Sequence, residues 1–253
     1  MDMPMSGTPD KGIWATWYDL DDAVREKFLA WLHETWLPAL QKDGRYNWVA
    51  HYRDQEAIKS ETGVAGPLDK VDAGEGVPIG KQFLLLVGAS SPHVFLDPLV
   101  LDGRDAVAVD RSEMLDLRKN VRHAVFVEEA SVEGPDSPGA GAGTLAAPAI
   151  RVGCFRMRTP EDDFEAGAWY AQSRLPYMAN VKGSVRARKL LSVAGWAKHA
   201  ILYEFVSPDA RRRIWNEMRD SRDRDPKGFW SIGPKTVHAP GSPTLGERTF
   251  PAP

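Results

Sequence analysis

The chain has 253 residues, of which 43% are apolar and 26% charged, with one cysteine and a formal net charge of -3. That length buries a sizeable core without disulfide or metal staples and makes one or two domains. The composition excludes wholesale disorder, no apolar run approaches the ~20 residues of a bilayer span, and the charge balance gives no pull towards nucleic acid or a membrane surface. The lone Cys154 cannot form an internal disulfide, and Met1–Lys11 carries no apolar signal core. Both predict a reducing, cytoplasmic setting.

In chain order, Ile13–Tyr18 is a β-favouring run. Asp19 or Asp21 can then cap a helix whose apolar positions are Val24, Phe28, Trp31, Leu32, Thr35 and Ala39. Strands are predicted over Tyr46–Tyr52 and Gln82–Val87, and Ser91-Pro92 resembles a capped helix start. The same order then recurs. Ile150–Met157 reads as a strand, and Thr159-Pro160-Glu161-Asp162 starts a helix with the stripe Phe164, Ala168, Ala171, Leu175 and Met178. Val185–Val193 and His199–Val206 read as strands, and Ser207-Pro208-Asp209 opens a helix.

Two echoes support a duplication: Trp31-x4-Trp36-Leu37-Pro38 against Trp169-x4-Arg174-Leu175-Pro176, and Ser90-Ser91-Pro92 against Val206-Ser207-Pro208. A proline late in each long helix removes a backbone bond and predicts a kink or an end there. The expected layout is repeat one over 11–133, a linker over 134–147, repeat two over 148–240 and an extended tail over 241–253 that wraps the surface or a partner. The Gly139–Gly143 run lacks the Gly-Lys-Ser/Thr of a phosphate loop, and a strand follows it. Residues 55–81 are polar and Gly-rich, an insertion or a lid.

Strand-helix-strand-strand-helix-strand, with the Trp…Leu-Pro helix, resembles the dimeric α/β-barrel superfamily, and within it the EthD-like branch. The resemblance rests on Trp31-Leu32-His33-Glu34-Thr35-Trp36-Leu37-Pro38 and Trp169-Tyr170-Ala171-Gln172-Ser173-Arg174-Leu175-Pro176, and covers about residues 11–54 and 148–206. It implies an α+β fold: two tandem ferredoxin-like repeats whose antiparallel sheets pack face to face, with ligand cavities between sheet and helices, and a duplicated chain could form that barrel within one subunit. Where that branch places a histidine before its proline segment, this chain has Trp36 and Arg174. The superfamily includes cofactor-free monooxygenases, polyketide cyclases, lactone isomerases, lyases and haem enzymes, so fold does not select the reaction.

None of the six histidines, His33, His51, His93, His123, His199 and His238, falls at a metal-ligand spacing, and no nucleophile elbow is present. No metal and no cofactor are expected. Acid–base chemistry needs only a tuned His, Tyr or carboxylate in a dry cavity. His199 and Tyr203 share one strand face with Ile201 between them. Tyr170, Arg174 and Tyr177 share one side of the second long helix, where Arg174 could anchor a carboxylate or phenolate. His51 shares a face with Asn47 and Val49, opposite Trp48, Ala50 and Tyr52, and is read as exposed rather than as a cavity base. His33 reads as half-buried on the first helix.

Arg186 and Arg188 share a face that either meets an anionic substrate or forms a solvated edge. The candidate catalytic residues are His199, Tyr170, Tyr203 and His51. The candidate substrate contacts are Arg174, Tyr177, Arg186, Trp17, Trp36 and His33. The expected activity is a cofactor-independent lyase or isomerase on a hydrophobic aromatic or polycyclic small molecule. A cofactor-free monooxygenase and a non-catalytic binding protein are the alternatives. Neither nucleic acid nor membrane is an expected partner, and a homodimer is compatible with the resemblance.

Overall fold

A computed structural model describes residues 10–55, 76–97, 112–139, 145–220 and 232–252. Most of the 55–81 insertion and of the Gly139–Gly143 run lies outside these residues. The first part of the chain runs β1 (Gly12–Asp19), α1 (Asp22–Trp31), a π-turn (Leu32–Trp36), α2 (Leu37–Lys42), β2 (Trp48–Asp54), β3 (Phe83–Ala89), a 3-10 turn (Pro92–Phe95), α3 (Ser112–Leu115) and β4 (Lys119–Glu133). The second part runs β5 (Ala149–Met157), α4 (Pro160–Trp169), a π-turn (Tyr170–Arg174), α5 (Leu175–Asn180), β6 (Ser184–Gly195), β7 (His199–Phe205), α6 (Pro208–Asp220), a 3-10 turn (Gly233–Lys235), β8 (Thr236–His238) and β9 (Gly246–Phe250).

All strand pairs are antiparallel, in the order β7-β6-β4-β1-β3-β2-β9-β5, and β5 pairs back onto β7. The strands thus close into one eight-stranded barrel within the single chain, as the resemblance allowed, which leaves no edge along the ring. The closing stave is β9, between β2 and β5, while β8 and Thr244 continue along the same edge of β5. The C-terminal segment, expected to wrap the surface, is therefore part of the barrel wall.

The period-two pattern sorts each strand into two faces. Ile13, Ala15, Trp17, Trp48, Ala50, Tyr52, Leu84, Leu86, Phe126, Ile150, Val152, Cys154 and Leu202 fill the barrel interior. The outer faces carry two helical layers. The first packs α1, its π-turn and α2 on Trp14, Tyr18, Val49, Phe83, Leu85 and Val87. The second packs α4, α5 and α6 on Phe155, Ile201, Tyr203 and Phe205.

Both π-turns lie immediately before a Leu-Pro pair, and each is closed by the leucine N–H reaching five residues back, Leu37 to Leu32 and Leu175 to Tyr170. A proline in a regular α-turn collides with the carbonyl four residues earlier, and the wider turn relieves that contact. The extra residue advances the buried stripe. In the first helix it passes from Phe28 and Leu32 to Trp36, Leu37 and Leu40, with Thr35 exposed. In the second it comprises Ala166, Tyr170, Arg174, Leu175 and Met178. The stripe expected there is wrong at its start: Phe164 is 82% exposed, and Ala168 and Ala171 also face outward.

The longest strand, β4, has no clear alternation in sequence, because its inward positions include Arg122 and Glu128. The guanidinium of Arg122 lies 3.8 Å over the Trp17 ring, and Glu128 pairs with Arg188. Gly88 stands opposite Trp48 across the β2–β3 ladder, and a Cβ there would lie 2.2 Å from the indole. That indole donates to Asp10 at 2.6 Å. Gly88→Ala is expected to cost about 1–3 kcal/mol by overpacking. Urea denaturation checks it, and a loss below about 0.5 kcal/mol would mean that Trp48 shifts freely.

Candidate active site

A cavity of about 50 Å³ lies in the second layer. Its walls are Gly153 and Phe155 of β5, Ile201 and Tyr203 of β7, Trp169 and Tyr170 of the helix, Trp215 of α6, and Thr236, His238 and Pro243 of the C-terminal segment. Arg151 also lines it, its guanidinium 3.5 Å over the Trp215 ring. That volume is one or two waters. A ring-sized ligand needs a wall such as Trp215 to turn away.

The π-turn places Tyr170 at its first position and Arg174 at its last, both facing the sheet. Arg174 Nε donates to the Tyr203 hydroxyl at 2.8 Å, and its guanidinium lies 4.5 Å over the same ring. It also contacts Met218, and Nη2 is buried without a hydrogen-bond partner. Arg174 is 3% exposed and meets no carboxylate among the described residues. Burying a guanidinium without a counter-charge is costly. Burial pushes the Tyr170 hydroxyl well above the usual tyrosine range, and the adjoining Tyr203 adds to this. Tyr170 is therefore a neutral hydrogen-bond donor at pH 7.

The structure thus brings Tyr170, Tyr203 and Arg174 together, while Tyr177 stands at the outer edge, its ring 5.7 Å from Arg174 and partly exposed. His199 shares the outward face of β7 with Tyr203 but lies beyond Phe155, whose ring it stacks on at 5.5 Å. Its Nε2 meets Asp163 at 2.9 Å, and it is not part of the cavity wall. Burial lowers the His199 pKa against the pull of Asp163. Burial also opposes ionisation of Asp163, but Lys198 and His199 outweigh it and hold the carboxyl low.

Other candidates lie elsewhere. Arg186 and Arg188 point into the barrel, opposite the cavity. Arg186 pairs with the buried Glu204 at 2.8 Å, so neither a solvated edge nor a free substrate contact describes it. Trp17 fills the barrel interior and donates to Thr244 at 2.9 Å. Trp36 is buried in the first layer against Trp31. His51, read as exposed, is 0% exposed: β9 covers it. Its Nε2 meets the Tyr18 hydroxyl at 2.8 Å and its Nδ1 meets His33 Nε2 at 3.0 Å. Tyr18 and Trp215 were missed, because each sits in a run that reads equally well as core packing.

Haem enzymes are among the activities that the resemblance implies. The described residues do not hold a haem-sized space between this sheet and helix: it is about 50 Å³, against the several hundred that large ligands occupy, and although His238 lines it, α4, α5 and α6 carry no histidine. Among the described residues no three His, Cys, Asp or Glu side chains converge on a metal position, and no helix is long and apolar enough to cross a membrane.

No protein-family model matches the chain, and no curated protein does. Solved structures do. A candidate monooxygenase from Fusobacterium nucleatum superposes with a TM-score of 0.55 at 10% identity, covering 96% of this chain and 94% of that one. A candidate chlorite dismutase gives 0.54 at 11%, covering 95% of each chain. An anthrone oxidase-like protein gives 0.54 at 13%, covering 96% and 92%. At these identities the likeness concerns the fold. The chain thus shares with them the fold of a closed antiparallel α+β barrel.

Proposed function

We propose that the chain is a cofactor-independent acid–base enzyme, of lyase or isomerase type, acting on an aromatic small molecule that carries a phenolate, enolate or carboxylate. The observation that carries this reading is Arg174: a buried guanidinium without a carboxylate among the described residues, joined to a tyrosine that faces an aromatic cavity. The rings of Trp169, Trp215 and Phe155 would stack on the ligand. Tyr203 accepts a hydrogen bond from Arg174, so its own proton is free to point at a ligand oxygen. Tyr170, hydrogen-bonded to Tyr203, holds that hydroxyl in place, and the charge of Arg174 stabilises the anion that develops. We also infer an internal duplication of the EthD-like kind, supported by the matching π-turns and Leu-Pro pairs.

The test is a thermal-shift screen of aromatic acids, phenols and lactones. A ligand at 100 times its dissociation constant adds about 2.7 kcal/mol, which is about 5–10 °C at this chain length. Tyr203→Phe should abolish turnover of a hit while the protein stays folded. Full turnover in Tyr203→Phe would remove that residue from the chemistry. Oxygen consumption with the hit would favour the monooxygenase alternative, and stabilisation without turnover the binding protein.

A further inference from the structure

The closing stave β9 is held unevenly. Against β2 it pairs from Asp54↔Gly246 to His51↔Phe250, with a register shift between His51 and Tyr52. Against β5 it has one paired position, Ala149↔Glu247, and a bond from Arg248 N to Pro148 O at 2.8 Å. At the shift, the Thr249 hydroxyl donates to the His51 carbonyl at 3.2 Å and so accepts from His51 Nδ1, 2.6 Å away. The next residue, Phe250, stacks on His33 at 5.9 Å. The end of the stave thus rests on two histidines.

Those histidines have room for few protons. His33 Nε2 and His51 Nδ1 face each other at 3.0 Å, a contact that holds one hydrogen and not two. The other side of His51 is closed by the Tyr18 hydroxyl from β1 and by the Phe83 ring of β3 at 5.5 Å. The charged groups around the cluster give little help to a second proton. Glu34 beside His33 is exposed, and the Arg118 guanidinium, 5.7 Å over the Tyr18 ring, is itself a cation. Burial lowers the pKa of both histidines: His51 well below the usual value, with His33 adding to the effect, and His33 less so, against the pull of Glu34. The closed state therefore binds fewer protons than an opened one. Opening becomes easier as pH falls below the ordinary histidine value near ~6.5. β1, β2 and β3 are held by full ladders, so the strand that can yield is β9.

We propose that His33, His51 and Thr249 form an acid-sensitive latch: at neutral pH it seats β9 between β2 and β5, and on acidification it releases the strand and opens that seam. The preceding residues Thr236, His238 and Pro243 form one wall of the cavity, so release would loosen that wall. This last consequence rests on the proposed reaction site; the latch itself does not.

The test is hydrogen exchange of the full chain, read by mass spectrometry at about pH 7 and about pH 5 and corrected for intrinsic exchange. Protection of residues 246–250 should fall about ten-fold or more, as uptake of one proton on opening gives ten-fold per pH unit below ~6.5. Protection of β1 and β3 should persist. His51→Gln should remove most of the pH dependence. His33→Gln, at a half-exposed position that leaves the core intact, should leave the onset near ~6.5 and shrink the fall in protection, because one fewer histidine takes up a proton on opening. The proposal is overturned if β9 keeps its protection at pH 5, if it opens only together with β1, or if both variants open with the wild-type pH profile. Ligand stabilisation at pH 7 is unaffected by any of these results, so failure of the latch is distinguishable from failure of the proposed function.

Discussion

Replacing Arg188 with methionine is expected to cost about 3–5 kcal/mol of folding stability at neutral pH, the usual penalty for removing one partner of a buried ion pair. Arg188 is 0% exposed inside the barrel. It donates from Nε to Glu128 at 2.7 Å, from Nη1 to the Asp10 carboxylate at 3.1 Å and from Nη2 to the Asp10 carbonyl at 2.6 Å. Methionine fills part of the volume but leaves Asp10 and Glu128 facing each other's charge, with Lys11 the remaining cation on Glu128. Burial pushes the Glu128 carboxyl up, but Arg188, Lys11 and Ser131 outweigh it and hold its pKa below the usual value. A carboxyl with a depressed folded pKa contributes stability that is present above its unfolded value and lost as pH falls through the folded one. The difference between wild type and variant should therefore be full at pH 7 and narrow below about pH 4. Urea denaturation at both pH values reads it. A gap that stays constant with pH would assign the loss to packing instead.

Arg174→Met is expected to act in opposite directions on stability and on binding. Removing a buried cation that meets no carboxylate among the described residues relieves a desolvation cost, and replacing buried charges by apolar groups is often stabilising by about 1–4 kcal/mol. Loss of the bond to Tyr203 returns about 1 kcal/mol. The ligand-free variant should thus melt a few degrees above wild type, at about 2–4 °C per kcal/mol for a chain of this length. The same change should weaken any anionic aromatic ligand by about ten-fold, through loss of the charge behind Tyr203 rather than of a direct bond, since Arg174 reaches the cavity only through that hydroxyl. Calorimetry and ligand titration on one pair of samples check both halves. A variant that melts lower and binds as before would make Arg174 a structural residue, and the proposed anion site would fall with it.

The amino-acid sequence alone determined the elements whose signals are local. The alternating runs of β1, β2, β3, β5, β6 and β7 are legible because each alternates or saturates in apolar residues. The capped start of α4 is legible because Thr159 accepts from Asp162 N three residues on, as its spacing announces. The face shared by His199, Ile201 and Tyr203, and the pairing of Tyr170 with Arg174 on one helix side, also follow from period alone. Even the site of each π-turn is marked, by a proline that a regular helix would not accept.

Only the tertiary structure decided which of those residues meet. β4 is hidden in sequence because its inward charges are neutralised by strands 60 residues away, as Glu128 is by Arg188. The one-residue advance of each π-turn is a hydrogen-bonding choice, and it sent Phe164 to solvent and Arg174 to the interior. His51 became buried because a strand almost 200 residues later closes over it. His199 and Tyr203 share a face and yet separate, since Phe155 of β5 stands between the histidine and the cavity. Burial of a polar side chain depends on partners from distant segments, and no local period records them.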